Sequence, residues 1–188
     1  MSLQKLPELD EPCGAHFTFR DFVECGETWE STGVENTPLQ PGTYEALRLL
    51  AESVLDPVTK EFGRPTLTYG VACQALSSLI RHNIAPKLDQ HAGYEMSAKA
   101  KRICDRGGVA CDFEIPGTES LIVAKWIVRN VRFDRLYYYG KDRPIHVSAN
   151  ESPKGQCVLV KRDAASSKVV PTVISNDKFL EMKNSEGV

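Results

Sequence analysis

The sequence predicts an α+β fold, and three observations lead there. Apolar residues recur at three- and four-residue steps over two long segments. Several short segments alternate apolar and polar residues in the strand manner. The later strands follow one another through a tight turn instead of alternating with helices. The Pro/Gly-rich stretch Thr37-Pro38-Leu39-Gln40-Pro41-Gly42 precedes the first long element. There Thr43 is a helix cap, and Leu47, Leu50, Ala51, Val54, Leu55, Val58 and Phe62 form one apolar stripe. Pro57 predicts a kink within that helix and Gly63 its end.

A strand over Thr66-Leu67-Thr68-Tyr69 follows, closed by Gly70, then a helix from Val71 to about Ile80 and a mixed stretch to Arg106. Gly107-Gly108 breaks the chain before a strand from Val109 to Ile115, which Pro116-Gly117 terminates. Thr118 opens a second helix, running to about Asn130, with Leu121, Ile122, Trp126 and Ile127 on its buried side. Arg135–Tyr139 and Ile145–Ser148 read as paired strands joined by Gly140-Lys141-Asp142-Arg143-Pro144. Past Asn150, Val158-Leu159-Val160 and Val169-Val170 are strand-like, and the polar tail Glu181–Val188 is expected to fray. Residues 1–150 thus form the expected domain, with 151–188 a C-terminal extension of short strands packed on it or frayed from it.

The chain has 188 residues, with 23 Lys plus Arg against 25 Asp plus Glu, a net charge of −2. That balance offers no electrostatic footprint for nucleic acid or an anionic membrane. The longest apolar stretch, Leu121–Val128, is interrupted by Lys125 and falls far short of the ~20 residues a bilayer requires. The first residues carry no apolar signal region, and the six cysteines include no Cys-x-x-Cys pair. Reduced thiols and a cytoplasmic location as encoded are the expectation, with release needed for any role at a cell wall.

Four histidines are present: His16, His82, His91 and His146. Strand alternation puts Ile145 and Val147 on one face and His146 and Ser148 on the other. It likewise separates Phe113 and Ile115 from Asp112 and Glu114. Two neighbouring polar faces then present Asp112 and His146 to one cleft. One more imidazole from a loop would complete a nitrogen and carboxylate donor set that Zn²⁺ accepts, with a fourth position left for water. Cys104 and Cys111 flank the glycines beside Asp112 but match no zinc-knuckle spacing, and burial is their expected role.

The surrounding words resemble peptidase family M15, the zinc D-Ala-D-Ala carboxypeptidases and endolysins, including phage enzymes, that share a fold with the hedgehog signalling domain. The resemblance runs from His16-Phe17-Thr18-Phe19-Arg20-Asp21-Phe22 through Asn36-Thr37-Pro38, Leu55-Asp56-Pro57-Val58 and Phe62-Gly63-Arg64-Pro65. It continues with Gly108-Val109-Ala110-Cys111-Asp112, Phe133-Asp134-Arg135-Leu136-Tyr137 and Ile145-His146-Val147-Ser148. It implies a central antiparallel sheet with flanking helices, one zinc ion, and hydrolysis of peptidoglycan-type amide bonds. Asp112 and His146 match two ligands. For the first ligand, His91 within Asp89-Gln90-His91 is preferred over Asp105, because imidazole is the commoner zinc donor and a loop insertion costs little closure entropy.

The chain departs from the family pattern at two places. Arg143 and Pro144 occupy the usual catalytic position before the last histidine, leaving Asp142 or Glu114 as candidate proton carriers. The family's substrate-gripping arginine is absent after Tyr69-Gly70-Val71. Arg81, Arg106 and Arg143 are candidate replacements, Arg143 chief among them, and the Tyr137-Tyr138-Tyr139 run, Tyr138 in particular, is a candidate substrate contact. The alternative function is a catalytically impaired, metal-binding module that recognises a peptide or protein. A third reading is an interaction protein without metal.

Overall fold

The computed structural model describes residues 5–80, 88–162 and 169–183. Two short helices, α1 (Phe19–Val23) and α2 (Glu27–Thr32), precede the long helical run. That run is α3 (Pro41–Leu50), a π-helical turn (Ala51–Leu55) and α4 (Asp56–Phe62). The irregularity lies one turn before Pro57, whose ring cannot accept a regular preceding turn, so the expected kink is accommodated there. The helix begins at Pro41, two residues before the expected cap; Thr43 lies in its first turn.

After β1 (Thr66–Tyr69), α5 covers only Gln74–Leu79; residues 71–73 stay outside the helix because their N–H groups donate to Phe22 O, His91 O and Asn36 Oδ1. Next come a 3₁₀ turn (Gln90–Ala92), β2 (Val109–Glu114), α6 (Ser120–Asn130), β3 (Arg135–Tyr138) and β4 (Ile145–Ala149). The chain continues with β5 (Gln156–Arg162), β6 (Val169–Ile174) and α7 (Asn176–Glu181). On α6, Leu121, Val123, Ala124 and Ile127 are buried while Ile122 is 49% exposed, contrary to the expectation that Ile122 faces the core. One position of helical rotation carries it off the stripe.

The six strands form one sheet in the order β1-β2-β4-β3-β5-β6. Every pair is antiparallel except β3–β5, which is parallel, so the sheet is mixed and not the antiparallel one expected. The reason is local. β4 ends beside the start of β3, and the link that follows is tied to that same end. Gly155 N–H donates to Phe133 O (3.0 Å) and Gln156 N–H to Asp134 O (2.9 Å). A strand launched from there along the free edge of β3 must run with it.

Alternation sorts the sheet's two faces. Val109, Cys111, Phe113, Leu136, Tyr138, Ile145, Val147, Cys157 and Leu159 join one buried cluster with Phe19, Tyr44, Leu47, Leu50, Val54, Leu121, Ile127 and Phe179. The helices therefore cover that face. The other face carries Asp112, Glu114, Tyr137, His146 and Ser148, and the 3₁₀ turn at Gln90–Ala92 crosses it.

Residues 88–107 are pinned at several points. The buried Glu95 carboxylate accepts from Leu39 N–H (3.0 Å), Gln40 N–H (3.1 Å) and Thr43 Oγ1–H (2.7 Å), which fixes the start of α3. A negative charge there also suits the helix dipole. Gln90 Nε2 donates to Asp134 Oδ2 (3.0 Å) and Gly107 O (2.7 Å), while Arg135 Nη1 donates to Gln90 Oε1 (3.1 Å) and to Asp134. Gly108, at φ +80°, passes so close to β4 that a Cβ would stand 1.9 Å from Ala149 O. Only glycine fits that approach. Among the described residues, no helix is long and apolar enough to cross a membrane.

Candidate metal centre

Asp112 and His146 are directly facing partners in the β2–β4 pair, so their side chains rise side by side from the face opposite the core. His146 Nδ1 lies 2.8 Å from Asp112 Oδ1. The 3₁₀ turn lowers His91 onto this pair, with its Nε2 3.1 Å from His146 Nδ1 and 3.2 Å from Asp112 Oδ1. Asp89 caps that turn, its carboxylate accepting from His91 N–H (3.1 Å).

The second ring nitrogen of His91 is occupied. Nδ1 lies 2.7 Å from Gly70 O, which can only accept, so Nδ1 carries the hydrogen and Nε2 is the atom turned to the cluster. Gly70 is itself held tightly. A Cβ there would meet Phe22 O at 2.1 Å and Cys25 Sγ at 2.9 Å. Just after it, Val71 N–H donates to Phe22 O (2.9 Å) and Ala72 N–H to His91 O (2.8 Å). Buried Asn36 clasps the same segment, donating to Val23 O and Val71 O (2.9 Å each) and accepting from Cys73 N–H (2.9 Å).

Electrostatics within the cluster are strong. Burial works against charge on His91, yet the Asp112 and Asp89 carboxylates outweigh it and lift its pKa to about 9. Burial likewise opposes ionisation of Asp112, but His91 and then His146 hold its carboxyl well below the usual range. Both shifts favour a charged His91–Asp112 pair. These three residues are the one His/Cys/Asp/Glu group among the described residues that can hold a metal ion. Tetrahedral coordination at ordinary nitrogen and oxygen bond lengths spaces neighbouring donors about 3.3 Å apart. Separations of 2.8–3.2 Å are close to that. The Asp112 side chain is 25% exposed, against 4% for His91, so the cluster meets solvent on the carboxylate's side.

Aromatic rings flank the cluster. Tyr69 packs on His91 with ring centroids 4.2 Å apart, and Tyr137 meets His146 edge-on at 4.9 Å. Arg106 Nη1 donates to Tyr137 Oη and to Leu88 O, both at 3.0 Å. Burial, followed by Asp112, pushes the Tyr139 phenol above its ordinary range.

The other sequence candidates are not members of the donor group. Asp105 is exposed and outside the cluster. Asp142 and Arg143 are exposed in the turn between β3 and β4, and Glu114 is exposed at the end of β2, facing Thr66. Tyr138 is buried on the core face against Phe179, with ring centroids 5.9 Å apart, whereas its neighbour Tyr137 reaches the imidazole. His16 is exposed, its backbone N–H donating to Asp56 Oδ1 (3.1 Å). Arg81 and His82 fall outside the described residues. Cys104 and Cys111 are buried free thiols, and burial pushes the Cys111 thiol far up.

The sequence reading missed Gly70 and Tyr69. A strand-ending glycine is a visible signal of close backbone approach, but its carbonyl's partner is not. Neither the family models, the curated proteins nor the solved structures contain a match to this chain.

Proposed function

We propose that the chain is a zinc-dependent peptidase of the M15 type that hydrolyses peptidoglycan-type amide bonds, D-Ala-D-Ala or cross-link peptides. The observation that carries this reading is the convergence of His91 Nε2, Asp112 Oδ1 and His146 Nδ1 beside solvent, with the spare nitrogen of His91 already committed to Gly70 O. The motif order around Asp112 and His146, together with an α+β sheet that presents both on one face, supports a hedgehog/DD-peptidase-like fold. Two imidazoles and one carboxylate suit zinc with a position left for water or substrate. Once bound, the ion would supply Lewis acidity and an activated water.

The chain's own residues supply the remainder. His91 and His146 contribute neutral donors and Asp112 the compensating negative charge. Gly70 keeps the His91 tautomer and Asp89 keeps its turn in place. In the net reaction the scissile C–N bond breaks, water's oxygen joins the carbonyl carbon, and a proton passes to the leaving amine. Glu114 and Asp142 are the proposed proton carriers and Arg143 the proposed substrate cation, all three standing in solvent.

One feature favours a second reading, a metal-binding recognition module. The carboxylates that bear on His91 are Asp112 and Asp89, and Asp89 is already engaged in capping the turn. The test is metal analysis of protein purified without chelator, followed by hydrolysis of muropeptides ending in D-Ala-D-Ala. Stoichiometric zinc with turnover lost in His146→Ala supports the peptidase. Zinc without turnover selects the recognition module, and no zinc uptake removes both.

A further inference from the structure

β1 and β2 do not pair regularly, and the irregularity lies at the metal centre. Thr66 faces Glu114 and Leu67 faces Phe113, but the next partner of β2, Asp112, is faced by Tyr69 and not Thr68. One extra residue in β1 forms a bulge. Because strand side chains alternate, regular pairing would set Thr68 opposite Asp112 and turn Tyr69 to the core side. The bulge reverses this and delivers a phenol beside Asp112 on the cluster's face.

Two further observations concern that phenol. Its ring lies against His91, 4.2 Å between centroids with the planes inclined 48°. Its hydroxyl is buried and has no hydrogen-bond partner among the described residues. A buried polar group without a partner costs free energy, and Phe at this position would give the same ring contact without the penalty. A bulge that turns the ring onto the cluster's face and a buried hydroxyl without a partner among the described residues both point to a ligand as the missing partner.

We propose that Tyr69 is a catalytic residue whose hydroxyl donates a hydrogen bond to an oxygen ligand of a cation held by the His91–Asp112–His146 cluster. This rests on the metal reading above and deepens it. The ligand class is an oxygen donor to the cation, such as a carbonyl, a hydroxamate or a phosphinate. A neutral phenol serves as the donor, so no covalent or proton-transfer step is required of it. It supplies a polar contact to that oxygen.

The test uses the full chain loaded with Co²⁺, whose visible spectrum reports the ligands, and acetohydroxamate as the probe. Tyr69→Phe is expected to bind Co²⁺ with an affinity within about twofold of the parent. It is expected to bind acetohydroxamate roughly tenfold more weakly, the loss of about one charge-assisted hydrogen bond. Metal-free Tyr69→Phe should melt at the parent's temperature or about 2–4 °C above it, since the unpaired hydroxyl is gone. Equal hydroxamate affinity in the two proteins overturns the proposal and leaves the metal reading intact. A melting temperature lowered by more than about 5 °C also overturns it, because the hydroxyl would then have a structural partner. No Co²⁺ spectrum in the parent would instead sink the metal reading on which the proposal stands.

Discussion

His146 faces Asp112 directly across the β2–β4 pair, with the imidazole Nδ1 2.8 Å from the carboxylate Oδ1. Thirty-four positions apart in sequence, the two are brought together by strand register alone. The register is fixed in turn by the apolar residues on the opposite face, Cys111, Phe113, Ile145 and Val147. A one-residue slip of β4 would turn His146 to the core side and leave Asp112 on the other face, so the same packing that makes the core also sets the distance between these donors.

Removing any donor should abolish tight metal uptake. His91→Ala, Asp112→Ala and His146→Ala are each expected to weaken zinc binding roughly 100-fold or more. Asp105→Ala should stay within about twofold of the parent, since Asp105 lies in solvent outside the cluster. Competition against a chromogenic chelator measures all four. Loss of zinc in Asp105→Ala alone would overturn the choice of His91.

Gly70 should be intolerant of a methyl group. Its added Cβ would meet the Phe22 carbonyl at 2.1 Å, so Gly70→Ala must displace the backbone that accepts from His91. The expected cost is about 2–3 kcal/mol in urea unfolding. Zinc affinity should fall by roughly tenfold as His91 loses its orienting partner. Parent-like values in both measurements would refute this account of the glycine.

Chelated protein should be most stable in mildly acidic solution. His91 has an ordinary pKa of 6.5 that rises to about 9 in the fold. Its contribution is therefore complete below about 6.5 and lost as pH climbs through about 9. Asp112 is held below its ordinary 3.8, so its contribution is present above that value and lost on further acidification. Together they set a maximum between about pH 4 and 6.5 in a melting-temperature scan of chelated protein. With zinc the scan should shift toward alkaline pH, because the metal replaces the proton. A chelated protein that gains stability from pH 7 to 9 would contradict the pairing.

Glu95 should matter to stability although it lies outside the His91–Asp112–His146 group. Its carboxylate satisfies two backbone N–H groups and the Thr43 hydroxyl at the start of α3. Glu95→Ala leaves all three without that partner, and a loss of about 2–4 kcal/mol is expected in denaturant unfolding. A change below about 0.5 kcal/mol would mean that water replaces the side chain without penalty.

Strand alternation made Asp112 and His146 legible as neighbours, because period two needs no knowledge of the partner strand. The apolar stripe from Leu47 to Phe62 exposed the long helix in the same way. The bulge at β1 was hidden, since Thr66-Leu67-Thr68-Tyr69 reads as a regular strand and only its pairing with β2 reveals the extra residue. The direction of β5 depended on where β4 ends, a tertiary fact. Within the Tyr137-Tyr138-Tyr139 run the sequence favours Tyr138 as the substrate contact, whereas Tyr137 is the ring that meets His146. The order of faces along three successive tyrosines follows only once Ile145 is seen opposite Tyr138 and His146 opposite Tyr137.

The parallel pairing of β3 and β5 bears on how the protein is made. All three donors precede residue 150, yet β3 has one edge closed only by Gln156–Arg162, synthesised later. Until that stretch leaves the ribosome, a row of main-chain amides and carbonyls stands bare one strand away from His146, open to any passing extended segment. The nascent molecule is thus open to misassembly in the interval between completing its donors and acquiring the strand that shields them.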